Sequence, residues 1–123
     1  MPESLYVFDN KISGTLPTSL GLLSKLEELR VDNNQIVGTI PKELGILNSL
    51  TTIKLNTNSL TGTLPQNLGA LTSLTKLEVH ENELSGEVGM NICALTSYLL
   101  RDLTADCAYK SREIECFCCT LCY

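Results

Sequence analysis

The sequence has few aromatic residues, little positive charge and no long apolar run. Tryptophan is absent, aromatic residues make up 5% of the 123 positions, and there is one histidine. Nine Lys and Arg residues are interspersed with fourteen acidic ones, and the net charge is −5, so no basic run is available to neutralise phosphates. Apolar stretches are a few residues long, far short of the roughly 20 that a spanning helix needs. We therefore expect no nucleic-acid partner, and a core of Leu, Ile and Val.

Signatures of secretion and of catalysis are also missing. The first residues, MPESLYVF, show no basic stretch followed by an apolar one, and no Asn-x-Ser/Thr sequon occurs. There is no GxSxG, HExxH or phosphate-binding glycine loop. Six cysteines, by contrast, are typical of an oxidising compartment. We expect an extracellular or cell-surface protein whose start is truncated, and no enzymatic activity.

The dominant feature of the sequence is an internal repeat of constant length. It divides the chain into segments 4–27, 28–51, 52–75 and 76–98. The recurring positions include Gly14, Gly38, Gly62 and Gly86, and Asn10, Asn34, Asn58 and Asn82. Repeats of this length indicate a solenoid, because a single coil cannot bury its own apolar face and must stack on its neighbours.

Each repeat contains the elements of one coil. Leu29 and Val31 alternate with polar residues, which predicts a short half-buried strand. Thr39 and Ile40 are expected to form a second, shorter extended segment. Pro41 then begins a helical turn where its missing N–H costs least, and leucines spaced by three follow, which suits a 3₁₀ return.

The consensus LxxLxLxxNxLxGxIPxxLGxL resembles the plant-type leucine-rich repeat over residues 4 to about 98. The resemblance implies an L domain-like α/β solenoid, a right-handed superhelix with a parallel β-sheet on its concave face and short helical or 3₁₀ returns on the convex side. It also places ligands mainly on the concave face. The C-terminal run TADC…IECFCCTLC is similar to the tails of secreted or surface leucine-rich repeat proteins of diatoms and related algae, which again implies an extracellular or membrane-tethered origin.

The recurring asparagines predict a hydrogen-bonded ladder. A buried Asn side chain offers two donors and an acceptor, which suits backbone groups of its own turn and of the adjacent coil. Asp106 stands one repeat length after Asn82, and a carboxylate that only accepts is tolerable in a last coil. Arg101 falls where Leu77 stands one period earlier. Either that strand is shifted, with Leu100 turned inward, or Arg101 closes the edge.

Strand alternation selects the candidate ligand-binding residues of the concave face. They are Tyr6, Phe8, Arg30, Asp32, Lys54, Asn56, Glu78 and His80. One outward column runs through Tyr6, Arg30, Lys54, Glu78 and Asp102, so Lys54 and Glu78 are expected to pair across the ladder. Exposed Tyr6 and Phe8 are of the type enriched in interface hot spots. The alternative is a solvated, charge-balanced sheet without a ligand.

His80 is flanked by Glu78 and Glu81 on the same face, and it is the one residue around which a metal or acid–base site could be drawn. One histidine and two glutamates on an open sheet rarely bind a specific metal. General acid–base catalysis also requires a cleft that shifts pKa values, which a solenoid face does not supply. We therefore expect no metal, no cofactor and no catalytic residue.

Residues 99–123 are predicted to form a degenerate last coil and a disulfide-rich cap. Its disulfide candidates are Cys93, Cys107, Cys116, Cys118, Cys119 and Cys122. Six cysteines allow 15 pairings, and the adjacent Cys118 and Cys119 do not suit a mutual bond. We expect the tail to be bonded to the last coils through Cys93 and Cys107. The alternative is a zinc site built on Cys119-x-x-Cys122 and two further cysteines.

Three hypotheses follow for the function. The first is a non-catalytic binding module, the C-terminal part of a secreted or receptor-like protein that recognises a protein, peptide or glycan on its concave face. The second is a structural segment that terminates a longer solenoid. The third is a thiol or zinc site with redox or metal-handling activity. The first two predict further N-terminal coils in the full-length protein, since solenoids need capped ends.

Overall fold

A computed structural model describes residues 3–107 and 114–123. Residues 1, 2 and 108–113, which fall before the predicted first segment and within the predicted cap, lie outside the described residues. The strands, in chain order, are β1 (Glu3–Tyr6), β2 (Ser13–Thr15), β3 (Leu26–Arg30), β4 (Gln35–Gly38), β5 (Thr52–Lys54), β6 (Ser59–Gly62), β7 (Lys76–Glu78), β8 (Glu83–Leu84), β9 (Gly86–Glu87), β10 (Asp102–Ala105), β11 (Ile114–Glu115) and β12 (Leu121–Cys122). The helical returns are 3₁₀ turns at Thr18–Leu22, Lys42–Ile46, Gln66–Ala70 and Ala94–Ser97, and a helical turn α1 at Met90–Cys93.

The chain is a right-handed α/β solenoid in which every strand pair of the described residues is parallel. The concave sheet has the order β1-β3-β5-β7-β10-β12. A second sheet has the order β2-β4-β6-β8, and β11 pairs with β9. In the second repeat the second extended segment was predicted at Thr39 and Ile40, and this position is wrong. β4 ends at Gly38, before both residues.

The core consists of leucine and isoleucine layers contributed by successive coils. Leu29, Ile53 and Leu77 stand at equivalent strand positions and are fully buried. Leucines of the returns, such as Leu44 and Leu68, close the other side of the core and are also fully buried. Burial of one such side chain stabilises the fold by about 1.5–3 kcal/mol. The coils are therefore held together chiefly by stacked apolar side chains.

Glycine sets the distance between coils at the second sheet. Gly38 has a φ of +82°, and a Cβ on it would lie 3.0 Å from the Thr15 methyl carbon of the preceding coil. Gly62 repeats the arrangement against Thr39, with a φ of +81°. Because both the backbone conformation and the close approach require the absence of a side chain, the recurring glycine is explained by packing.

The asparagine ladder is present and has a direction. Asn58 Nδ2 donates to the carbonyls of Leu55 in its own turn and Val31 in the preceding coil, at 3.1 and 3.0 Å. Its Oδ1 accepts the N–H of Ile36, also in the preceding coil, at 3.1 Å. Asn34 and Asn82 make equivalent bonds. Each asparagine therefore attaches its coil to the one before it.

The last coil is out of register with the repeat. Earlier strands align Thr52 with Lys76, exactly one repeat length apart, but the next pairing aligns Lys76 with Asp102, which lies two residues further along the chain than the repeat requires. The predicted outward column is therefore wrong at its end. Glu78 is followed by Thr104, and Asp102 continues the neighbouring column.

Two additional residues in the fourth return cause this shift. Two residues separate Leu71 from Leu74, whereas four separate Leu95 from Leu100, and all four of these leucines are buried. Leu100 thereby turns inward and Arg101 is exposed. Of the two alternatives for this strand, the shifted one is observed.

Asp106 does not occupy the asparagine position, since the shifted register aligns it with His80. Its carboxylate accepts the backbone N–H groups of Glu81 and Asn82, at 2.7 and 2.9 Å. The corresponding N–H groups of the third coil donate to backbone carbonyls of the fourth. Asp106 is thus an acceptor, as expected, but it replaces backbone carbonyls of the next coil rather than an asparagine side chain.

Three disulfides form the C-terminal cap. Cys93 is bonded to Cys118, Cys107 to Cys122, and Cys116 to Cys119, so no cysteine is free. The predicted attachment through Cys93 and Cys107 is observed, and the zinc alternative is wrong because its four thiolates do not exist. The Cys107–Cys122 bond holds β12 beside β10, where Leu121 pairs with Thr104.

Candidate functional site

The outer positions of the concave sheet form two neighbouring columns. One runs through Tyr6, Arg30, Lys54 and Glu78, as alternation predicted. The other holds the residues two positions later, which are Phe8, Asp32, Asn56 and His80. Six of these eight side chains are accessible to a partner, whereas Asp32 and His80 are buried.

One end of the face carries a cluster that we call the aromatic–arginine patch, formed by Tyr6, Phe8, Glu28, Arg30 and Asp32. The Arg30 guanidinium carbon lies 4.1 Å from the Phe8 ring centroid and 5.6 Å from that of Tyr6. The two rings are tilted, with centroids 6.0 Å apart, and the Tyr6 hydroxyl donates to Glu28. Tyr6 is 50% exposed. The patch therefore presents a ring and a guanidinium that are held in place before any partner arrives.

The patch also contains polar atoms whose hydrogen-bonding capacity is unused. Arg30 Nε and Asp32 Oδ1 lie 3.6 Å apart, an ion pair too long for a hydrogen bond, and both atoms are buried without a hydrogen-bond partner among the described residues. Asn56 Oδ1, in the adjacent coil, is in the same condition. Buried polar atoms are nearly always hydrogen-bonded in folded proteins, so these three atoms retain capacity for a further hydrogen-bond partner.

The rest of the concave face is occupied by ion pairs. Lys54 Nζ lies 3.4 Å from the Glu78 carboxylate, which confirms the predicted cross-ladder pair. Lys76 lies 3.8 Å from both Glu78 and Asp102. Partly exposed pairs of this kind contribute about 0–1 kcal/mol each. This half of the face matches the charge-balanced alternative, while the aromatic–arginine patch does not.

His80 is not an open surface residue. It is 8% exposed, and its ring stacks on Tyr123, with centroids 3.9 Å apart and planes 9° from parallel. Its Nδ1 lies 2.6 Å from Thr104 Oγ1. The expectation that His80 faces solvent beside Glu78 and Glu81 is therefore wrong. The covering residue, Tyr123, is the last of the chain, and only the Cys107–Cys122 pairing signals that it returns to the sheet.

The same error applies to Asp32. Alternation placed it outward, but it lies two residues past the end of β3 and is 4% exposed. Among the described residues, no group of three or more His, Cys, Asp or Glu side chains is arranged to hold a metal ion. In that part of the chain no helix is long and apolar enough to cross a membrane.

Comparison with known families identifies the class of protein. The profile described as Leucine Rich Repeat matches residues 2–23, 25–47 and 49–71, more than half of the chain. The chain belongs to the leucine-rich repeat family. Comparison with curated proteins finds no significant match.

The solved structures most informative for this chain are plant receptor ectodomains. It is similar to a chain of the PEPR1–AtPEP1 crystal structure, with 43% identity over 73% of this chain and a TM-score of 0.72. It also resembles the ectodomains of the Arabidopsis thaliana receptor kinases GASSHO1/SCHENGEN3, at 28% identity over 93% of this chain and a TM-score of 0.78, and SOBIR1, at 26% over 93% and 0.80.

Each of these structures is longer than the present chain. The matched part is 13% of the PEPR1–AtPEP1 chain, 12% of the GASSHO1/SCHENGEN3 ectodomain and 59% of the SOBIR1 ectodomain. The similarity therefore defines a solenoid of the plant receptor type.

Proposed function

We propose that the chain is a non-catalytic recognition module that binds a protein or peptide through the aromatic–arginine patch. The carrying observation is the packing of the Arg30 guanidinium against the rings of both Phe8 and Tyr6, next to a part of the face that is occupied by ion pairs. Tyrosine and arginine dominate interface hot spots, and rigid anchors lose little side-chain entropy on binding. Because the patch combines apolar rings with one guanidinium, a peptide with an apolar anchor beside a carboxylate is the best complement.

The relatives support a protein or peptide partner. The PEPR1 structure is described with AtPEP1, and the GASSHO1/SCHENGEN3 ectodomain is in complex with CASPARIAN STRIP INTEGRITY FACTOR 2. Both partners accompany solenoids of the type present here. The ectodomain relatives and the three disulfides also support an extracellular or cell-surface location for this chain.

The test is selection of linear peptides from a random displayed library on the disulfide-intact chain, followed by isothermal titration calorimetry. We expect Tyr6→Ala and Arg30→Ala each to weaken the selected peptides about tenfold or more, equivalent to about 1.4 kcal/mol. The matched control is Lys54→Ala, which removes an ion-paired neighbour on the same sheet and should change affinity by less than about threefold. Equal losses for Lys54→Ala and Tyr6→Ala, or no loss for either patch variant, would overturn the proposal.

We also infer that the β1 end of the solenoid receives another leucine-rich coil. Asn10 donates to the carbonyls of Val7 and Phe8 within its own turn, at 3.3 and 2.9 Å, and a preceding coil would provide the further partners that Asn58 has. A Cβ on Gly14 would meet no atom within 4 Å, whereas equivalent glycines contact a threonine methyl group. Asn10 and Gly14 therefore lack the contacts that a preceding repeat supplies to the equivalent residues of later coils.

An apolar cavity at the same end supports this inference. It has a volume of about 220 Å³, and its lining includes Leu5, Val7, Leu16 and Leu20. In later coils the equivalent side chains are covered by a neighbour, and Ile53 and Leu55 are fully buried. Covering Leu5 and Val7 in the same way would complete the first layer of the core.

The inference is tested by fusing a copy of residues 28–51 before Ser4 and measuring urea unfolding. We expect the extended chain to be more stable, and Asn10→Ala to cost about 1 kcal/mol more in the extended chain than in the original one. If Asn10→Ala costs the same in both chains, the added coil does not stack and the inference is wrong. This outcome is independent of the peptide experiment, which concerns exposed side chains of the sheet.

A further inference from the structure

A groove on the convex side lies along the closely packed helical returns of the third and fourth coils. Its volume is about 550 Å³, within the range of ligand sites in proteins. Five polar side chains line it, those of Gln66, Asn67, Thr72, Asn91 and Tyr98. The rest of the lining consists of small or apolar residues, Gly69, Ala70, Ala94 and Leu95. The groove lies on the face opposite the aromatic–arginine patch.

The groove exists because of a substitution within the repeat. One position of each return holds Leu22, Ile46, Ala70 and Ala94 in successive coils. Leu22 is 81% exposed and Ile46 is 66% exposed, so the first two coils carry large apolar side chains at this surface position. Alanine at the next two coils removes that bulk and opens the space.

The polar side chains of the lining are uncharged. Asn67 and Asn91 occupy equivalent positions of adjacent coils, and among the described residues neither side chain has a hydrogen-bond partner. Tyr98 is 63% exposed at the border of the groove. No acidic or basic side chain of the described residues lines the groove, so a charged ligand would find no counter-charge there. The site therefore suits a neutral ligand that both donates and accepts hydrogen bonds.

We propose that this groove binds a neutral oligosaccharide. A sugar hydroxyl is both donor and acceptor, and each Asn or Gln amide offers one acceptor oxygen and a two-proton donor to match it. The apolar C–H face of a pyranose ring packs on an aromatic face such as that of Tyr98, while Ala70 and Ala94 leave room for the ring. The uncharged lining offers no counter-charge to the ionised side chains or termini of a peptide.

The test uses the disulfide-intact chain labelled with ¹⁵N and titrated with neutral hexasaccharides of glucose (β-1,4 and β-1,3), mannose and N-acetylglucosamine. We expect at least one of them to give saturable NMR shifts in the side-chain amides of Asn67 and Asn91. Ala70→Ile introduces at the groove the side chain that Ile46 has, and should weaken binding about tenfold or more. Because this substitution is at a surface position, unchanged circular dichroism and melting will separate a filled groove from a misfolded chain.

The matched control is Ile46→Ala, the reverse exchange at the equivalent position of the second coil. It should leave the affinity for the sugar unchanged. Tyr98→Ala is expected to weaken binding, since it removes the stacking surface. Absence of saturable shifts up to about 10 mM sugar, a regime of Kd values weaker than millimolar, would overturn the proposal. So would shifts that map to the concave face, or binding that Ala70→Ile leaves intact.

Discussion

The ring of Tyr123 lies on the imidazole of His80, nearly parallel to it and with the ring centroids 3.9 Å apart. This contact joins the last residue of the chain to the fourth coil, and the Tyr123 N–H also donates to the Ala105 carbonyl at 2.9 Å. The concave surface around His80 is therefore covered by the C-terminal residue.

Replacement of Tyr123 by Ala should expose His80 and lower stability by about 0.5–1.5 kcal/mol, since it removes the aromatic ring that stacks on the buried imidazole. Reaction of the imidazole with diethyl pyrocarbonate, followed by mass spectrometry, measures the exposure. Tyr123→Phe is the control, because it retains the ring and should keep His80 protected. Equal modification rates in the wild type and Tyr123→Ala would show that the stack does not cover the histidine.

The exchange of Asn for Asp at position 58 should destabilise the fold far more than the exchange of Asp for Asn at position 106. Asn58→Asp removes donors to Val31 and Leu55 and brings a carboxylate against their carbonyls, at an expected cost of about 2–4 kcal/mol. Asp106→Asn keeps one acceptor oxygen for the backbone N–H groups it binds, and should cost about 1 kcal/mol. Urea unfolding of the two variants measures the difference. Comparable losses would contradict the assignment of Asn58 as a bridge between coils.

Substitution of the repeat glycines should depend on the neighbouring coil. Gly14 and Gly62 both have positive φ, so alanine costs about 1–2 kcal/mol at either position. Gly62→Ala additionally places a Cβ 3.0 Å from the Thr39 methyl carbon, which adds about 1–3 kcal/mol of overpacking. Thr39→Ser removes that methyl group and should recover much of the additional loss in the double variant. Thermal melts that show equal losses for Gly14→Ala and Gly62→Ala would refute the packing role.

The loss of stability on removing a single disulfide should increase with the length of the chain segment that the disulfide closes. Cys93–Cys118 spans 25 residues and Cys116–Cys119 spans 3. The loop-entropy relation gives stabilisations of about 3.5 and about 1.6 kcal/mol, respectively. Paired Cys→Ser variants compared by chemical denaturation test this order. A larger loss on removing the Cys116–Cys119 bond would show that local geometry at the tail, and not chain restriction, determines its contribution.

Much of the fold follows from the sequence because, in a repeat of constant length, the register between neighbouring strands is found by adding one repeat length to a residue number. Once Leu29 is placed inward, Ile53 and Leu77 take equivalent positions at successive repeats, and strands β3, β5 and β7 align accordingly. The role of Asn58 could be deduced in the same way, from the donors and acceptors of its side chain. These predictions needed only the chemistry of the single residues and the equivalence of positions one repeat length apart.

The wrong predictions concern residues where the regular repeat fails, or where a strand ends and its side chains no longer alternate between inward and outward positions. His80 lies two residues past β7, in a turn where Glu81 has a φ of +55°, so a period of two no longer describes which side it faces. The additional residues between Leu95 and Leu100 could not be located by counting, because the repeat pattern is already degenerate there. The groove beside Ala70 was missed for another reason. An alanine in a helical return does not by itself predict a groove, because the space beside it depends on how the neighbouring coils pack.

The cap also affects how copies of the chain associate. A head-to-tail filament requires every copy to offer two complementary faces, one for each neighbour. At the edge of the concave sheet that lies beyond β10, β12 is two residues long and is held by the Cys107–Cys122 bond. Very short edge strands resist further pairing. The disulfide cap therefore opposes polymerisation through this edge.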